Sequence, residues 1–173
     1  MSAARTGPVT LADMMAHALA IERAAVDRYN ALADVMEVHN NRAVTELFRK
    51  MAQIETRHVE QIVARMGWKS ATAAPAPGPW AGIEEFECVP EDQVHYLMWP
   101  WHALQLALDA EQRAEAFYAR VAETTGADAV RRAALELRDE EHEHVALVRA
   151  WLEQTPEPGT DWADDPDPPR YTD

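Results

Sequence analysis

The sequence predicts an all-α protein, a four-helix bundle built from two antiparallel hairpins joined by a long crossover. Three observations carry that prediction. Four segments place apolar residues at alternating spacings of three and four, the period of a helix face. Only a few residues separate the first segment from the second and the third from the fourth, whereas more than thirty lie between the pairs. The halves also repeat: Val44 to Glu55 and Val130 to Glu141 each span 11 residues, and Glu22 to Tyr29 and Glu111 to Tyr118 each span 7.

The first helix is expected from Leu11 to Val38, with Thr10 as N-cap and Asp13 three residues later, resembling a capping box. Its stripe is Leu11, Met15, Ala18, Glu22, Ala25, Tyr29, Leu32 and Met36. The second starts near Asn41, ends at Gly67, and carries Val44, Phe48, Met51, Glu55, His58, Ile62 and Met66. The methionines on these stripes read as gap-filling core rather than copper ligands. The third helix begins near Trp101, with Pro100 acceptable at its first position, and stops near Gly126. It presents Leu104, Leu108, Glu111, Ala114, Tyr118 and Val121. The fourth is expected from an Asp128 N-cap to Glu153 through Val130, Ala134, Leu137, Glu141, His144, Val148 and Leu152.

Residues 68–100 form the crossover. Its Pro/Ala stretch Ala71–Pro79 is expected to run extended, whereas Trp80, Phe86, Trp99 and Trp101 are apolar enough to pack down. A helix of about 26 residues is roughly 39 Å long, and a connector of this size can return along all of it. The third helix can then start at the end where the second did. Residues 1–10 form an N-terminal extension and 11–153 the bundle. Residues 154–173 form an acidic, proline-rich tail that reads as poorly ordered, although Trp162 and Tyr171 could dock it.

A chain of 173 residues is one domain's worth. Its formal charge of −14 argues against nucleic acid and anionic membrane as partners, which it would repel. Met1–Pro8 lacks the apolar run of a signal peptide, and no stretch approaches roughly 18 apolar residues, so a cytoplasmic protein is expected. A single cysteine, Cys88, excludes an internal disulfide or a four-thiolate metal centre within these residues.

Chemistry enters with two copies of Glu-x-x-His, Glu55/His58 and Glu141/His144, 86 residues apart. Residues i and i+3 share a helix face, so each pair aims a carboxylate and an imidazole at one point. One such pair on a charged helix means little, because a solvated face produces it often. Here both lie on apolar stripes, at equivalent places in a repeat, and each half adds a further stripe carboxylate, Glu22 and Glu111. Four carboxylates in a low-dielectric core, with no basic residue on any stripe, would each cost several kcal/mol. Two divalent cations would neutralise them while both imidazoles bind as neutral ligands. A binuclear centre of Glu22, Glu55, His58, Glu111, Glu141 and His144 is therefore expected, in preference to protonated Glu hydrogen-bonded to His and Tyr. Carboxylates with two imidazoles suit iron or manganese.

Helix phase sets aside His142 and Glu143, which point roughly 100° or more off the line of Glu141 and His144. Tyr29 and Tyr118 lie two turns beyond Glu22 and Glu111. They read either as ordinary core tyrosines or as phenols donating to a ligating carboxylate on a facing helix. His17, His39, His95 and His102 read as surface or connector residues.

These residues resemble the ferritin-like di-metal carboxylate superfamily and, within it, the rubrerythrins. The likeness covers about Leu11–Glu153 and rests on Glu22-Arg-Ala-Ala-Val-Asp-Arg-Tyr29, Ile54-Glu55-Thr-Arg-His58, Glu111-Gln-Arg-Ala-Glu-Ala-Phe-Tyr118 and Glu140-Glu141-His-Glu-His144. It implies a ferritin-like bundle holding two transition-metal ions, iron before manganese. Glu55 and Glu141 would bridge them, and Glu22/His58 and Glu111/His144 would complete the two positions. The implied chemistry is an oxidoreductase acting on hydrogen peroxide or dioxygen with an external electron donor.

Two departures matter. Rubrerythrins carry a rubredoxin domain, which one cysteine cannot build, and an extra Glu one turn after the third-helix ligand, where Ala114 stands. Glu115 is adjacent and could partly substitute, though its direction differs. The departures weaken the expectation of efficient peroxidase turnover and bring the site closer to ferritin, bacterioferritin or di-manganese catalase. Ferroxidase activity in iron handling is the alternative, and an interaction module with a structural metal is a third. The connector's tryptophans could line a homodimer interface.

Overall fold

The computed structural model describes residues 10–77 and 93–164. Trp80, Phe86, Cys88 and Tyr171 lie outside them, as does most of the N-terminal extension. Four helices account for the bundle: α1 Leu11–Val38, α2 Arg42–Met66, α3 Pro100–Thr124 and α4 Asp128–Glu153. No strand occurs among the described residues, and no helix there is long and apolar enough to cross a membrane.

Each helix end has a local cause. Thr10 Oγ1 accepts from the Asp13 N–H at 3.1 Å, and Asn41 Oδ1 accepts from the Val44 N–H at 3.4 Å. Gly67 closes α2 in the left-handed region at φ 65°, where its N–H and that of Trp68 cap Ala64 and Val63 carbonyls at 3.1 Å each. Pro100 is the first residue of α3, and His102 Nδ1 accepts from the Trp99 N–H at 3.1 Å.

The start of α4 differs from expectation. Ala127 occupies the cap without a side-chain bond, and Asp128 is already helical, pairing with Arg131 at 3.2 Å. Arg131 also donates to the Ala122 and Thr125 carbonyls, so this one guanidinium secures the turn and leaves Asp128 free to act within the first helical turn. The connector differs too. Ala71–Ala73 forms a single 3-10 turn capped by Ser70 Oγ, and the chain becomes extended only at Ala74.

The described ends of the crossover lie at opposite ends of the bundle. Asn41, at the start of α2, donates to the carbonyls of Met98 at 2.7 Å and Tyr96 at 3.3 Å, just before α3. α2 and α3 therefore start at the same end and run parallel, opposite to α1 and α4, as the two-hairpin arrangement requires. α1 packs on α2 and α3 on α4 along their lengths. Between the hairpins, Arg65 of α2 pairs with Glu136 of α4, and Lys50 sits 3.8 Å from the Trp151 ring centroid.

Two apolar cores result. One joins the end of α1 and start of α2 to the start of α3 and end of α4, through Met36, Phe48, Leu104 and Val148. The other joins the opposite ends through Met15, Ile62, Val121 and Leu137. The Glu and His residues form the layer between them.

Three expectations about aromatic and histidine placement are revised. His17 is not a surface residue: it is 2% exposed, with Nε2 3.9 Å from Asp13 one turn earlier. The described part of the tail is anchored by Trp162, whose ring is tilted by 37° against His102 with centroids 3.8 Å apart and stands edge-on to His95 at 5.4 Å. Trp99, expected to pack down, is 47% exposed. His39 is exposed as expected.

Gly67 gives a direct check on the α2 terminus. A Cβ there would meet nothing within 4 Å, so only the backbone conformation resists substitution. Gly67→Ala is expected to lower unfolding free energy by about 1 kcal/mol without altering the fold, measured by urea titration.

Candidate metal centre

All six residues singled out by the sequence converge in the middle layer. Glu22, Glu55, Glu111 and Glu141 are buried, while His58 and His144 reach the layer's edge at 12% and 11% side-chain exposure. His58 Nδ1 lies 3.6 Å from both Glu22 Oε2 and Glu55 Oε2. Its counterpart His144 Nδ1 lies 3.3 Å from Glu111 Oε2 and 3.4 Å from Glu141 Oε2. The two imidazoles stack with centroids 4.5 Å apart and planes inclined by 11°. Each histidine thus stands between the carboxylate of its own helix and one from the neighbouring helix of its hairpin. The internal repeat of the sequence has become an approximate twofold symmetry in space.

Donor atoms of Glu55, His58 and His144 lie within 4.8 Å of one another, and so do those of Glu111, Glu141 and His144. Glu22 belongs to neither triplet, although it approaches His58. His144 belongs to both because the rings have closed onto each other.

Tyr29, on α1, donates to Glu111 Oε1 on α3 at 3.4 Å, the relation suggested by the two-turn spacing. Tyr118 is fully buried, edge-on to Phe117 at 5.2 Å. His142 and Glu115 stay outside: they pair with each other at 2.8 Å on the surface. That pairing keeps both side chains away from the buried layer, as helix phase leads one to expect.

The charge balance is unfavourable as it stands. Burial holds the Glu22 carboxyl well above its ordinary range, and the charge of Glu141 pushes it further. Burial, then the charges of Glu111 and Glu22, does the same to Glu55. Glu141 is raised by burial to about 7, against a hydrogen bond with His144 that favours its ionised form. Burial alone would lower His144, but hydrogen bonds to Glu111 and Glu141 outweigh it and lift the imidazole to about 11. His58 goes the other way, lowered by burial and by the charge of His144.

The donor set fits divalent cations. Glu55 Oε1 and His58 Nδ1 are buried without a hydrogen-bond partner, an arrangement that is costly in an apolar bundle. A cation would satisfy both atoms and replace the protons that now hold the carboxyls neutral. Beside these groups is a cavity of about 10 Å³ lined by Ala25, Tyr29, Glu55, Ala110, Glu111 and Glu141. Sequence reasoning overlooked Ala25 and Ala110 as site residues. Their small size at positions flanking stripe carboxylates was the available signal.

A carboxylate–histidine centre within four helices defines a protein of the ferritin-like di-metal class. A model of the Rubrerythrin family matches residues 13–152, and the chain belongs to that family. A solved relative is an uncharacterized conserved protein from Magnetospirillum magnetotacticum MS-1, whose crystal structure is at 2.00 Å resolution. It shares 38% identity with a TM-score of 0.67, over 87% of this chain and 98% of that one. No curated protein matches the chain.

The raised carboxyls set a pH dependence for the metal-free protein. Groups such as Glu141 hold protons in the folded state that the unfolded chain releases above about 4.5. Stability must therefore fall as pH rises from there through about 7, by about 1.4 kcal/mol per unit for each such proton. His58 acts oppositely, but only below its ordinary 6.5. Thermal melts in chelator should show Tm falling across this window, with Glu141→Gln flattening the slope. A Tm that rises instead would contradict the protonated site.

Proposed function

We propose that this protein is a di-metal oxidoreductase holding two iron ions, with manganese as the alternative, and reacting with hydrogen peroxide or dioxygen. One observation carries the reading: four buried carboxylates and two imidazoles meet in a layer where Glu55 and His58 have unsatisfied buried donor atoms. Glu55 and Glu141 would bridge the ions, Glu22 and His58 would complete one position, and Glu111 and His144 the other. Two bound ions would supply the electrons and the template for the oxygen species. Tyr29 would fix Glu111 through its phenol, and Tyr118 would serve the equivalent carboxylate Glu22. The hydrophobic layers above and below would keep bulk water from the centre.

Reduction of hydrogen peroxide to two waters takes two electrons and two protons. A reduced centre can supply two electrons once, so sustained turnover requires an external donor of rubredoxin or flavin type. Docking of that donor, and any pairing of two chains, belongs to this proposal. Protein purified without chelators should contain two transition-metal ions per chain by elemental analysis. Glu55→Ala or Glu141→Ala should reduce both positions together. Clean loading of one zinc ion, indifferent to either change, would sink the binuclear reading.

A second reading, ferroxidase action in iron handling, is favoured by Ala114. This buried alanine occupies the place where rubrerythrins have their extra carboxylate, one turn from Glu111. Stopped-flow mixing of the reduced protein with peroxide separates the readings. Ala114→Glu is expected to tighten metal binding or speed the peroxide reaction. Rapid turnover without any donor, unchanged by Ala114→Glu, would point instead to disproportionation at a di-manganese centre.

A further inference from the structure

We propose that the groove at the seam of the two hairpins, beside Lys50 and Trp151, binds a planar aromatic anion, and that a dihydroflavin seated there is the two-electron donor to the centre. The binding stands on the groove itself, while the electron delivery rests on the di-metal reading. The groove has a volume of about 350 Å³ and draws its walls from α2, the start of α3 and the end of α4. That size lies at the lower end of small-molecule sites, about 300–1,000 Å³, which often form between the helices of bundles.

Its chemistry selects a flat ring that carries a negative charge. Leu104, 2% exposed, and Leu47 continue the apolar core into the groove. The Trp151 indole supplies an aromatic face, and the Lys50 ammonium sits over it at 3.8 Å from the ring centroid. Among the described residues no carboxylate pairs with Lys50, although the chain carries a charge of −14. A ring entering the groove can take the ammonium's place on the indole, while the ammonium turns to the ring's anionic group. Glu46, one turn nearer the bundle end on the same wall, repels that group and confines it to the Lys50 end. Gln154 donates its amide N–H to the Ala150 carbonyl at 3.0 Å, which leaves its side-chain oxygen to accept from an N–H of the ring. Flavin mononucleotide has all three features: a flat ring system, an imide N–H and a phosphate.

The groove is also placed for delivery. Lys50 stands five residues before Glu55, Leu104 seven before Glu111 and Trp151 seven after His144. At 1.5 Å per residue, roughly 8–11 Å of helix separates it from the carboxylate layer. A dihydroflavin gives up two electrons and two protons, so one molecule would return two ferric ions to the ferrous state and leave as oxidised flavin. It would do so from outside the buried layer, where the cavity of about 10 Å³ is far too small for it.

Flavin fluorescence tests the binding in chelator-treated protein, so that no metal is needed. Flavin mononucleotide should be quenched on titration, and riboflavin, which lacks the phosphate, should bind less tightly. Lys50→Gln should weaken the mononucleotide about fivefold and leave riboflavin unchanged, whereas Trp151→Leu should weaken both about tenfold. Lys50 is exposed, so its variant keeps the fold and decides the matter if Trp151→Leu does not. Absence of quenching, equal affinity of wild type and Lys50→Gln, or displacement by an equal concentration of inorganic phosphate would overturn the site. For delivery, dihydroflavin mixed anaerobically with the oxidised, iron-loaded protein should recover its yellow absorbance, more slowly in Lys50→Gln. Flavin that binds but stays reduced beside two loaded ions would overturn the donor role. A wild type that never loads two ions would overturn the di-metal reading and the donor role with it, while the titration still decides the groove.

Discussion

The burial of four carboxylates in the middle of an apolar bundle is the constraint on which the rest of this structure depends. Each of Glu22, Glu55, Glu111 and Glu141 is removed from water, and no apolar neighbour can replace lost hydration. The unfavourable layer is tolerated because it is confined. A continuous core of Phe48, Met36 and Leu104 closes one side, and one of Met15, Val121 and Leu137 closes the other. These two cores supply the burial that holds the hairpins together while the layer between them opposes it. A bundle designed only for stability would fill that layer with leucine.

The internal repeat explains how the layer is assembled and where it departs from symmetry. Two hairpins of the same register bring two equivalent Glu-x-x-His pairs into apposition, so a single local motif yields a six-residue site. Equivalence is broken at the histidines. His144 approaches its carboxylates at 3.3 and 3.4 Å and takes up a proton, whereas His58 stands at 3.6 Å from both of its own and remains neutral. Stacked imidazoles cannot both be charged at 4.5 Å without strong repulsion. One proton shared between two like environments therefore falls on one side.

What the sequence revealed follows from periodicity, and what it concealed follows from tertiary context. The helices, their register and the six Glu and His residues could be read because a stripe is a property of one helix. Gly67 and Thr10 declared their helix ends through local chemistry. His17 was misread because it lies beside the stripe of α1, and the periodicity of one helix does not report burial off its own stripe. The docking of Trp162 depends on where His95 and His102 end up, a contact across some sixty residues. Asp128 lost its expected cap role to Arg131, whose bonds to the preceding turn no propensity scale includes. Ala25 and Ala110 line the small cavity beside the carboxylates, and although their small size is visible in the sequence, only the fold shows that it meets there.

Metal binding and protonation are alternative ways of satisfying the same layer. With protons, Glu141 stays largely neutral below about 7, and His144 carries charge up to about 11. Ligation needs carboxylates ionised and imidazoles neutral, so loading must expel protons from both kinds of group. Apparent affinity then rises with pH, while the metal-free fold weakens over the same range. The two effects share one origin, because the negative charge that destabilises the bundle is the charge that attracts the cations. Ligand and fold are coupled through that layer: ions that bind the folded chain and not the unfolded one restore what deprotonation removes. If two ions bind as proposed, the stacked imidazoles would also have to part, since His144 belongs to both donor triplets. Opening that 4.5 Å stack would carry His58 toward Glu22 and His144 toward Glu111, in keeping with the sequence repeat.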